Sequence, residues 1–131
     1  MGGFSDQLTA FALKAENRVD QIVREVVYQV GLSVVRLSPI KSGAFVSNWR
    51  YGLMTPDTRW NPAQLSIRFV TGMDRMPKAA SKFTHTISNA APYGPALERG
   101  HSKQAPLGMI TLTKLAFEDI VANAARKAPT Q

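Results

Sequence analysis

The stretch from Ala91 to Gly108, APYGPALERGHSKQAPLG, places an acid, an imidazole and a hydroxyl close together as Glu98, His101 and Ser102. Those three groups are the set that acyl transfer uses. Catalytic trios, however, take their members from separated positions oriented by a packed scaffold, and no GxSxG turn is present to expose a serine. A metal site from His85, His101, Glu98 and Asp74 is chemically feasible, because two nitrogens and a carboxylate hold zinc or iron. No HxxxH or HExxH spacing supports it. His85 shares a strand side with Phe83 and Ile87, which reads as a half-buried histidine bonded to backbone. The chain has no cysteine, which removes disulfides, thiolate nucleophiles and sulfur-bound zinc. Nuclease chemistry wants clustered carboxylates, and phosphate-cradling glycine loops are missing. The expectation is a protein that is not an enzyme, with no catalytic residue, no metal and no cofactor.

Charge is more informative. The net charge of the 131 residues is +7. In residues 1–37 four cations meet four acids, whereas residues 38–104 hold nine cations against only Asp57, Asp74 and Glu98. An excess of this kind attracts polyanions or an acidic protein surface. Arg50, Arg59, Arg68, Arg75, Lys78 and Lys82 are interleaved with Trp49, Tyr51, Trp60 and Phe69, the mixture that single-strand binders use. Trp49, Tyr51 and Phe69 also fall on faces expected to be core, so aromatic residues there have a second explanation.

The elements that must carry these groups follow from hydrophobic spacing. Phe4, Leu8, Phe11, Ala15, Val19, Ile22, Val26, Val30, Val34 and Leu37 recur at steps of three and four, which predicts a helix over 1–37. Ser5 or Asp6 caps its start, and Ser38-Pro39 stops it. Such a rod is about 50 Å long, more than a domain of this size covers. A second stripe, Val23, Val27, Tyr28, Leu32 and Val35, predicts either burial on two sides or packing against another copy, and makes these five a candidate subunit interface.

FVSNWRYGLM, LSIRFV and KFTHTISNA each alternate apolar and polar residues and predict three antiparallel strands within 38–90. Pro106 opens a C-terminal helix over 106–127, after an irregular Pro/Gly segment over 91–105. The whole, 1–131, reads as a single α+β domain: long N-terminal helix, small antiparallel three-stranded sheet, irregular segment, C-terminal helix. There is no run of about 18 apolar residues, and the start lacks a basic segment leading into an apolar block, so synthesis in the cytoplasm and no membrane association are expected.

Two blocks resemble a known family. LSPIKSGAFVSNWR joins a helix-ending Ser-Pro to a Ser42-Gly43 step and an aromatic segment. In APYGPALERGHSKQAPLGMI, Pro92-Tyr93 precedes a short apolar turn, an acid followed by Arg99-Gly100, and a proline opening the last helix. With the helix, sheet, helix order, they resemble the neck or tail-completion proteins of long-tailed bacteriophages, a family described as minor tail components. The resemblance spans most of the chain. It implies a virion structural protein at the head-tail junction that joins the DNA-filled head to the tail by ring-to-ring assembly. Implied partners are other phage neck and tail proteins and further copies in a homo-oligomeric ring, with non-specific contact to packaged DNA.

On that expectation Tyr93, Leu97, Glu98, Arg99, His101 and Lys103 form a partner-contact segment. Arg59, Arg75, Lys78 and Lys82 meet DNA or an acidic partner. The alternative from another class is a small basic DNA-binding module.

Overall fold

The computed structural model describes residues 3–100 and 108–129, apart from the side chains of residues 4 and 11–13. Helix α1 (Phe4–Leu37) is continuous, as the 3.6-residue periodicity predicts. It ends where Ser38 turns extended, and the Ser38 hydroxyl donates to the Val34 carbonyl at 2.6 Å while accepting Trp49 Nε1–H at 2.7 Å. One buried hydroxyl therefore both terminates the rod and ties it to the next element. Gly43, at φ +92°, starts the one-turn helix α2 (Ala44–Ser47), in a conformation that favours glycine. Strand β1 (Arg50–Leu53) follows.

The sheet has two strands, not the three expected from alternation. β1 pairs antiparallel with β2 (His85–Ser88), Arg50 opposite Ser88 and Leu53 opposite His85. Of the first predicted strand only its second half is extended, because residues 44–47 coil into α2. LSIRFV forms no strand: Leu65 and Ile67 are exposed, and Phe69 instead begins the short helix α3 (Phe69–Gly72). Side chains meet carbonyls of β1 and of the preceding α2 instead. Gln64 Nε2 donates to the Ser47 carbonyl at 2.6 Å, and Arg75 donates to the Tyr51 carbonyl at 2.8 Å.

Two apolar clusters fill the interior. Val34, Phe45, Trp49, Ala91 and Met109 form one, with Val35 and Leu97 packed on it. Val27, Tyr51 and Phe69 form the other, with Val23 against it. Gly31 gives α1 a notch for the Phe69 ring: a Cβ at that position would overlap the ring carbons.

The Pro/Gly segment is not wholly irregular, since Gly94–Glu98 forms helix α4. The C-terminal helix is two helices, α5 (Met109–Leu115) and α6 (Phe117–Lys127), broken at Ala116. Pro106 lies outside the described residues. Both helices lie against α1: the Ser33 and Thr113 hydroxyls meet at 2.7 Å, Lys127 pairs with Glu25 at 3.3 Å, and Arg18 donates to the Ala125 carbonyl. N-terminal to Ala15 the rod overhangs the body. Ser5–Ala10 and Lys14 are exposed, and the overhang from residue 4 to 14 is about 16 Å long.

Candidate functional site

The chain leaves β1 through a tight reversal. Met54 adopts φ +70°, its N–H reaches the Thr84 carbonyl at 2.8 Å, and Gly52 has no room for a Cβ beside the Thr55 carbonyl. From β2, Thr86 Oγ1 donates to the Gly52 and Thr55 carbonyls, and Ser88 Oγ donates to the Asp57 carbonyl at 3.0 Å. Asn48, fully buried, pins the far end. Its amide donates to the Ala44 and Asn61 carbonyls, while Oδ1 accepts from Asn61 N–H and Arg50. All four of its hydrogen bonds are satisfied, which is what a buried carboxamide requires.

This loop, β1 and α3 enclose a cleft of about 660 Å³ lined by Arg50, Arg59, Arg68 and Arg75. Arg50 Nε donates to the Arg59 carbonyl at 2.8 Å, and its terminal nitrogen reaches Asn48 and Gln64, so neutral acceptors fix it and leave its charge intact. Arg75 is held by the Tyr51 carbonyl and stands 3.9 Å from Asp57 Oδ2. Arg59 forms a two-pronged pair with Asp57, at 3.0 and 2.6 Å. The Arg68 side chain has no hydrogen-bond or ion-pair partner among the described residues.

The lining therefore sets four guanidinium groups against one carboxylate. Hydrogen bonds from the Arg59 side chain, helped by its backbone N–H and the charges of Arg59 and Arg50, outweigh burial and hold the Asp57 carboxyl at about 2. Asp57 is ionised at any working pH. Trp60 lines the same cleft and stands edge-on to Tyr93 at 5.7 Å; Tyr93 leans on Phe45, and Phe45 on Trp49.

Of the four cations expected to meet DNA or an acidic partner, the cleft gathers Arg59 and Arg75. Lys78 and Lys82 lie outside it, in the 77–82 segment that clamps α1: Arg24 donates to the Pro77 and Lys78 carbonyls, and Asp20 accepts from Ser81 N–H and Oγ. Arg50 and Arg68 complete the set, and their alternation with apolar residues was the signal for them. Asn48 and Gln64, which shape the cleft, carry no sequence signal.

The expected partner-contact segment is largely occupied internally. Leu97 packs on the first core cluster, and Tyr93 belongs to the aromatic row. Glu98 accepts Ile110 N–H at 2.8 Å and Thr111 N–H and Oγ1–H at 2.9 Å, capping α5. Burial raises its carboxyl pKa, but these bonds outweigh it and the net shift is downward. Gly108, at φ +82°, lets the chain pass so close to Glu98 that any side chain would collide. Arg99 is exposed, whereas His101 and Lys103 lie outside the described residues.

Within the second stripe of α1, Val27 is 8% exposed against Tyr51 and Phe69, Val23 and Val35 pack on the two cores, and Tyr28 and Leu32 are half-buried. His85 uses both ring nitrogens: Nε2–H donates to the Ala80 carbonyl, leaving Nδ1 to accept from the Tyr51 hydroxyl, each at 2.7 Å. Among the described residues no three His, Asp or Glu side chains cluster to hold a metal, and no helix is long and apolar enough to cross a membrane.

Comparison with known proteins gives no match: no family model fits the chain, and no curated protein and no solved structure is similar to it.

Proposed function

We propose that the chain is a virion structural subunit of the junction between a phage head and its tail, assembling head-to-tail into a ring that docks on neighbouring neck and tail proteins. Beside the two sequence blocks, one observation carries this reading: the subunit leaves apolar surface uncovered at both ends of its rod. At one end Leu8, 52% exposed, stands on the overhang of α1. At the other, Leu115 is 78% exposed beside the α5–α6 break, and Phe117 and Val121, one turn apart, share an exposed face. The Ser33–Thr113 contact places that break roughly 35 Å along the rod from Leu8. Single exposed apolar residues are commonplace, but exposed apolar groups at two distant and unlike places on one small subunit suit a heterologous contact, which closes into rings.

The test is molar mass in solution by light scattering over a range of concentrations, with Leu8→Asp and Leu115→Asp. The wild type should form a discrete multiple of the 14.4 kDa chain. Each variant alone should be monomeric with unchanged melting, and the two mixed should pair one to one, because each retains the surface the other lost. A wild type that stays monomeric at every concentration and is left out of virions would sink the reading.

A further inference from the structure

We infer that the arginine cleft is a binding site for the phosphate backbone of a nucleic-acid strand, in which Asp57 serves as a built-in counter-ion that the incoming phosphates displace from Arg59. Three features carry this, and none depends on where in a virion the subunit acts. The first is uncompensated charge in a concave site: four guanidinium groups line about 660 Å³ with one carboxylate among them. Guanidinium forks match phosphate oxygens two at a time, and a concave wall focuses their field.

The second is the condition of each arginine. Arg50 is held in place by neutral acceptors and so is oriented without being neutralised, while Arg75, bonded to the Tyr51 carbonyl, also stands 3.9 Å from the Asp57 carboxylate. The Arg68 side chain is unpartnered among the described residues. Arg59 pairs with Asp57 across a side chain that is 71% exposed. Asp57 itself is only 11% exposed, but the guanidinium is open to solvent, so an incoming phosphate reaches Arg59 from the solvent side and competes with the carboxylate for it.

The third is Trp60. The indole packs on the first core cluster and stands edge-on to Tyr93, yet it also lines the cleft with its Nε1–H unpartnered among the described residues, and an acidic peptide would make no use of that. A nucleotide presents a phosphate to the guanidinium groups and a sugar and base to the aromatic wall within one repeating unit. The arrangement therefore favours a nucleic acid over an acidic protein.

The experiment is fluorescence anisotropy with labelled 12-nucleotide single-stranded and 12-base-pair duplex DNA, titrated with the full-length chain at several salt concentrations. Arg68→Gln, which removes no side-chain hydrogen bond or ion pair among the described residues, should weaken binding about fivefold and lower the salt slope by roughly 0.7 for the single strand or 0.9 for the duplex. Asp57→Asn, which keeps an acceptor for Arg59, should tighten binding several-fold. Lys82→Gln, outside the cleft, should change it less than twofold. Single-strand preference with quenched tryptophan emission adds base stacking on Trp60, while equal affinity for the duplex assigns the contact to phosphates alone; either supports the site. Equal losses from Lys82→Gln and Arg68→Gln, no gain from Asp57→Asn, or displacement of DNA by polyglutamate at equal charge would overturn it.

Discussion

Gly31→Ala separates two opposite physical effects. In an exposed helix interior the change stabilises by about 1 kcal/mol, because alanine fixes less backbone freedom. Here the added methyl would overlap the ring of Phe69, and that ring is 1% exposed with Val27 and Tyr51 packed around it. Overpacking a filled core costs about 1–3 kcal/mol, occasionally more. With the helical gain subtracted, the expected outcome is a net loss of up to about 2 kcal/mol instead of a gain of about 1.

The partner substitution Phe69→Leu removes the obstructing ring edge, so Gly31→Ala in that background should be neutral or stabilising, a coupling of about 1–3 kcal/mol. Urea denaturation of the wild type, both single variants and the double variant measures it, with thermal midpoints moving in parallel by a few degrees per kcal/mol. If Gly31→Ala stabilises the wild type by its full helical gain, or the two changes are additive, the notch is not what holds α3 to α1. The cycle also bears on the cleft. Phe69 is the anchor of α3, Arg68 precedes it and Arg75 follows in the next turn, so Gly31→Ala should weaken any ligand of the cleft.

Val27→Asp should unfold the subunit, since an unpaired carboxylate in the second core costs several kcal/mol out of a typical 5–15; circular dichroism at 25 °C reads the outcome directly. Glu98→Ala leaves Ile110 N–H and Thr111 N–H without an acceptor and should cost about 1–2 kcal/mol, with Glu98→Gln recovering part of it, both measured by urea midpoint. The pH dependence of Asp57 has a definite sign. Its folded value of about 2 lies below the ordinary 3.8, so its contribution is present above pH 4 and lost as pH falls from about 4 towards 2. Urea midpoints of the wild type and Asp57→Asn should differ by a constant amount above pH 5 and converge by pH 2.

How much of this was legible depended on whether the signal was local. α1 could be read because its periodicity runs unbroken to Ser38-Pro39, and local physics alone stops it there. LSIRFV carries the same alternation as a true strand, yet the outward carbonyl of Tyr51 goes to Arg75, and Gln64 takes the Ser47 carbonyl. Polar side chains brought from elsewhere decided the issue, and no window of neighbouring residues contains that information. The break at Ala116 had no glycine or proline to mark it. The basic residues were visible as a charge excess, but Arg75 and Lys78, three positions apart, serve different faces.

The overhang of α1 has a kinetic consequence. A free peptide of eleven residues is a poor helix in water, because the first turn fixes many dihedral angles for one hydrogen bond. The segment from residue 4 to 14 avoids that step, since it grows from a helix already nucleated and clamped at Arg18, Asp20 and Arg24. Its end can fray and re-form turn by turn on the submicrosecond scale of helix propagation. A partner that captures Leu8 thus meets a segment that is already templated, and the ordering cost that slows the docking of disordered tails is largely absent.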